Sequence, residues 1–149
     1  GYLEVNEDRA PVAGEVVVDM ESLTCTDLTD LELNAGLIRH LKHADFFKVE
    51  TYPEAAFRLE RALPLPEAPP GQPNWEVTGN MTLRGVTRSL DFLAMLQPLA
   101  DGYSFQAQPS VNRVLFGAVY GSGSVFERLG MHLVNDFVHL HITARFKKA

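Results

Sequence analysis

The 149-residue sequence holds one cysteine, one tryptophan and no apolar run close to the ~20 residues that would cross a bilayer. Cys25 alone cannot close an internal disulfide, so the core has to hold the fold together. A chain of this length can do so, since it buries about 68–70% of its unfolded surface. Positive charge is scarce as well. Thirteen Lys and Arg face nineteen Asp and Glu, the net charge is −6, and the only basic cluster is Lys147-Lys148 near the end. Nothing here can neutralise a phosphate backbone, so no nucleic-acid partner is expected. "YGSGS" lacks the lysine and spacing of a phosphate loop. No serine, cysteine or carboxylate stands in a nucleophile or acid–base setting, so no catalytic residue is assigned and the chain is not expected to be an enzyme.

Strict alternation is plentiful. Val16, Val18 and Met20 share a face opposite Glu15, Asp19 and Glu21. Trp75, Val77, Met81 and Leu83 alternate with polar residues, as do Tyr103, Phe105, Ala107 and Val111, and then Val138, Leu140, Ile142, Ala144 and Phe146. One dry and one wet face is the pattern of antiparallel strands. "RGVT" around Gly85 and "ADG" at 100–102 read as hairpin turns. The stretch 63–73, with five of the nine prolines, reads as a loop between strands. Pro109 cannot donate to a ladder, so its strand should bulge or lie on an edge there. The count is roughly seven strands. The fold class is all-β, a single domain over 1–149 arranged as a barrel or a sandwich.

One segment has helical spacing. Over 34–43, with Leu37, Ile38, Leu41 and Ala44 on the buried face, a helix is predicted, capped by Asp30 or Asn34. A second helical turn is expected over 125–130. "RHLKHADFF" (39–47) brings His40, His43 and Asp45 together, but a metal site needs three or four convergent ligands, and His43 points away from the helix's apolar face. His40 is read as a boundary residue and His43 as solvated. His139 and His141 share the wet face of the last strand and read as polar surface. No metal site is assigned, and a metalloprotein using His40, Asp45 or the His139/His141 pair is the alternative.

Four stretches in one order resemble the YceI-like family: "SLTCTD" (22–27), "HLKHADFFKVETYPEAAF" (40–57), "VTGNMTLRGVTRSLDF" (77–92) and "VNRVLFG" (111–117). "YGSGSVFERLG" followed by "NDF" resembles one branch of it. The resemblance implies a lipocalin-like antiparallel β-barrel of up-and-down hairpins around a long apolar tunnel. It implies binding or transport of a long-chain isoprenoid-like lipid, polyprenyl or quinone in type, in a periplasmic or secreted protein, with the cytoplasm as the alternative. It gives "HLKHADFF" an architectural part. Closing such a barrel takes about eight strands, so N-terminal strands preceding Gly1, an open edge or a strand beyond the seven counted is expected.

On this reading the cavity is lined by Val16, Val18, Met20, Phe57, Trp75, Val77, Met81, Phe92, Phe105, Leu140 and Ile142. Arg113 and Arg84 are the candidates for a lipid head group, followed by Arg88 and the backbone amides of 121–124. The inner faces mix large residues (Phe57, Trp75, Phe105, Phe146) with small ones (Gly79, Ala94, Ala107, Ala144) and the adaptable Met20, Met81 and Met95. That mixture suits a hollow interior and a filled core equally well. A filled core would make the chain an interaction module, and a homodimer through an open edge is left open.

Overall fold

The computed structural model describes residues 1–149 with the exception of Arg128. Strands β1 (Tyr2–Val5) and β2 (Pro11–Asp19) lead through a 3-10 turn at Met20–Ser22 to helix α1 (Leu31–Lys42). Strands β3 (Glu54–Pro64), β4 (Trp75–Leu83), β5 (Val86–Leu99) and β6 (Gly102–Ala107) follow in hairpin succession. Short β7 (Ser110–Asn112), then β8 (Phe137–His139) and β9 (Ile142–Lys147), complete the chain. Seven strands form one antiparallel sheet in the order β1-β2-β3-β4-β5-β6-β9, and β7 pairs with β8. Tyr2 and Leu3 on one edge strand and Phe146 on the other line the same cavity. The sheet therefore curls into a nearly closed barrel.

Local chemistry explains the corners. Leu83 faces Val86 across a two-residue turn, with Arg84 at φ 51° and Gly85 at φ 71°, the positive pair that tight hairpins need. Gly85 is required for space too, because a Cβ there would sit 2.6 Å from the Tyr52 ring. In β3 the register slips between Leu59 and Arg61, a bulge that reverses the inward phase. Ala55, Phe57 and Leu59 line the interior before it, and Ala62 after it.

The strand expected to run through Pro109 is broken there. β6 stops at Ala107 and β7 starts at Ser110, while the opposing chain breaks between β8 and β9. The two ladders nevertheless keep one register: Ala107 faces Ile142 and Ser110 faces His139. Across the break, the Leu140 N–H donates to the Pro109 carbonyl at 2.9 Å. Proline's missing N–H and fixed φ account for the interruption.

Helix α1 starts at Leu31, three residues before the predicted start, because Asp30 accepts from the N–H groups of Glu32 and Leu33 at 3.0 Å each. The side-chain amide of Asn34 donates instead to the carbonyls of Cys25 and Leu28. Ala44 is a correction: it lies beyond the helix end and is exposed, while Leu37, Ile38 and Leu41 are half-buried. The helical turn expected over 125–130 includes Arg128, which lies outside the described residues; a 3-10 turn forms at Gly130–His132.

Candidate functional site

The inward faces of the barrel do not meet. Three apolar chambers follow one another through the interior, with volumes of about 60, 240 and 150 Å³. Trp75 and Val77 line the first, Phe92 and Ile142 the middle one, and Met20 the last. Val16, Phe57 and Phe105 border both the first and the middle chamber. Val18, Met81 and Leu140 border both the middle and the last. Each of the eleven side chains that the sequence marks for the interior lines at least one of these three chambers. The spaces are real on the scale of a guest, since an apolar cavity of about 150 Å³ stays dry and accepts a molecule the size of benzene.

The channel survives because small residues sit between the large ones. Ala55, Ala94 and Ala107 are buried in the wall, and alanine there leaves volume that a leucine would fill. Phe57 and Phe92 stack at a tilt, with ring centroids 5.2 Å apart, and pack against the buried cluster of Val77, Ala94 and Ala107. Ala55, Phe47, Val111 and Leu96 also line the chambers, although they are not among the eleven, and the sequence places only Val111 on a dry face. Their alternation is legible, but Phe47 and Val111 enter from connections outside the main sheet. Met95 is a correction: it faces outward, because the inward phase of β5 runs through Leu90, Phe92, Ala94 and Leu96.

Charge is sparse along this path. Glu15 stands at the first chamber, where its Oε1 lies 3.1 Å from Nη2 of Arg58. Arg113 stands at the last chamber with no exposed surface. Its Nε donates to the Asn135 carbonyl and its Nη2 to the Val134 carbonyl, each at 2.9 Å, and its Nη1 donates to the Ala118 carbonyl. Nη2 also lies 3.7 Å from Oδ1 of Asp136, and the Phe46 ring lies 5.0 Å from the guanidinium carbon. Desolvation lowers the pKa of Arg113, partly offset by Asp136. The hydroxyls of Ser122 and Ser124, with Arg113 nearby, hold the Asp136 carboxyl below its ordinary value.

The sequence marks Arg113 and Arg84 for a head group; in the structure both guanidinium groups are engaged by backbone. Arg84 Nη1 donates to the carbonyls of Ala44 and Phe46 and borders a separate groove outside the barrel. Arg88 donates weakly to the Leu115 carbonyl at 3.4 Å. The Ser122 amide donates to Val119, and that of Ser124 to the Ser122 hydroxyl. Arg113 is thus a clamp that ties the 134–136 strand approach to the turn at Ala118.

His40, His43 and His139 are structural or peripheral. The His40 ring packs edge-on against Tyr120 at 4.3 Å, and His43 Nδ1 meets Asp45 Oδ2 at 3.1 Å on the surface. The Ser110 hydroxyl and His139 Nδ1 are 2.7 Å apart. Among the described residues, no three His, Cys, Asp or Glu side chains converge as a metal would need. "HLKHADFF" instead plugs one end of the barrel, with Phe46 at 5% exposure and the nearby Val49 at 0%.

Residues 1–146 match the family model of the YceI-like domain. Among solved structures, the YceI protein of Campylobacter jejuni is similar over 99% of this chain and 79% of its own, at 18% identity and a TM-score of 0.69. BcnA of Burkholderia cenocepacia is similar over 95% of this chain and 80% of its own, at 22% identity and a TM-score of 0.66. At such identities the likeness speaks for the fold. No curated protein matches the sequence.

Proposed function

This chain belongs to the YceI-like family, and from its apolar channel we propose that it binds and carries a long-chain isoprenoid-like lipid, of polyprenyl or quinone type, without chemical conversion. The observation behind the proposal is the run of three neighbouring apolar chambers that share lining residues, walled by side chains from all seven strands of the main sheet. A linear, flexible, branched tail suits such a shape. Each methylene withdrawn from water contributes about 0.8 kcal/mol, so a tail of about ten carbons gains roughly 8 kcal/mol before ordering costs. An apolar wall of this kind selects for length and girth. The proposal extends to location: such a carrier works in the periplasm or as a secreted protein.

Delipidated protein titrated with geranylgeraniol and with a short-tailed ubiquinone provides the test. Trp75, the sole tryptophan, lines the first chamber, so a guest arriving beside it changes its emission. We expect saturable binding in the micromolar range or tighter, and a co-purifying lipid by mass spectrometry of the protein as isolated. Absence of both binding and co-purifying lipid overturns the proposal.

A further inference from the structure

The wall of the barrel has a gap in it. β5 pairs with β4 from Val86 to Ala94, but with β6 only from Ala94 to Leu99. Beyond Ala107 the chain no longer pairs with β5, while on its other side the β6–β9 ladder runs on past Pro109 as the β7–β8 pair. Residues 86–93 of β5 therefore have no strand partner on that side. Phe92, Pro109 and His141 line both the middle chamber and a groove of about 580 Å³ on the outer surface. These three residues stand between the middle chamber and the outer groove.

The groove differs chemically from the channel. Its polar lining is Gln72, Asp91, Gln106, Gln108, Ser110 and His141. Among the described residues no lysine or arginine lines it, and its fixed charge is the carboxylate of Asp91. The arginine at the far end of the channel, Arg113, is already held by three carbonyls. An anionic head group would meet a like charge at the groove and no available cation in the channel, and desolvated phosphate without a partner is strongly disfavoured. Amides, a hydroxyl and an imidazole suit a neutral oxygen that accepts or donates one or two hydrogen bonds.

We infer that the gap beside Pro109 is a lateral portal, and that the groove outside it seats an uncharged hydrogen-bonding head group, an alcohol or a carbonyl, in preference to a phosphate. This rests on the carrier reading above and narrows it: the tail threads through the gap into the middle chamber while the head stays with Asp91, Gln108 and His141 outside.

Geranylgeraniol and geranylgeranyl phosphate share one tail and differ only at the head. We expect the alcohol to bind at least tenfold more tightly. Asp91→Asn, at an exposed position, should improve phosphate binding several-fold relative to alcohol binding. For the portal, Leu93 and Gln108 are the next positions in register after the Ala94–Ala107 pair. In a Cys25→Ala background, Leu93→Cys/Gln108→Cys bridged by a short bis-maleimide should load geranylgeraniol at least tenfold more slowly than the unbridged form, with Trp75 emission as the clock. If neither ligand binds, the carrier reading fails and the portal with it. If both bind equally, or Asp91→Asn leaves the ratio unchanged, the neutral seat is wrong while the carrier reading stands. An unchanged loading rate on bridging places the entrance elsewhere.

Discussion

The Phe57 ring lies over the bare backbone of Gly79: a Cβ on Gly79 would fall 2.8 Å from Cε2 of Phe57 and nearer still to Cζ. Phe57 borders both the first and the middle chamber, so the glycine sets where the channel narrows. Gly79→Ala must push the ring into the channel or shift the strand. We expect a stability loss of about 1–3 kcal/mol from overpacking. Geranylgeraniol should bind roughly tenfold more weakly, equivalent to about 1.4 kcal/mol. Urea unfolding and Trp75 titration check the two effects separately.

Ala55 stands where the middle and last chambers join. Ala55→Leu should close that junction and leave the first two chambers intact. Long tails then lose affinity while a short one such as geraniol does not, so the preference for geranylgeraniol over geraniol should fall at least fivefold. Equal losses for both lengths would mean that the last chamber holds none of the tail.

Arg113 offers a test of a clamp against a ligand contact. Arg113→Met removes donors to Ala118, Val134 and Asn135 and leaves Asp136 without its cation. Breaking one side of a buried ionic cluster costs about 3–5 kcal/mol, and denaturant unfolding should show it. A variant with native stability and impaired lipid binding would instead make Arg113 a ligand contact.

Acid should act through Asp136. The hydroxyls of Ser122 and Ser124, and Arg113, depress its folded pKa below the ordinary 3.8. A depressed carboxylate adds stability that is present in full above the unfolded value and is lost as pH falls through the folded one. Asp136→Asn should therefore be less stable than the wild type at neutral pH, and the gap should shrink below about pH 4. Urea midpoints across that range measure it, and a gap that persists at low pH would show that Asp136 contributes through shape alone.

Much of the channel is legible in the sequence because period-two alternation states which side of a strand is dry. Val16, Val18, Trp75, Val77 and Phe105 follow from it directly. β3 misleads for the same reason: Phe57, Leu59 and Leu63 fall on one phase, yet the bulge at Glu60 turns Leu63 outward to 42% exposure and Ala62 inward. A bulge inserts one residue without any residue type that announces it. Arg113 is opaque in another way, since its partners are carbonyls at 118, 134 and 135, and backbone oxygens carry no sequence signature. The gap beside β5 follows from Pro109, whose disruption is foreseeable, whereas the loss of pairing on the β5 side alone, with the register on the other side kept, is not.

The seam between β6 and β9 sets an order of assembly. Every other ladder of the main sheet joins strands that follow one another along the chain, but this one joins residues 102–107 to 142–147. As the chain folds, the hairpins from β3 to β6 can zip first, while the oily inner surface remains uncovered on one flank until the last strand arrives. Non-local pairings of this sort are slow. The folding chain therefore passes through a stage in which an unfinished trough, rich in Phe and Val, faces solvent.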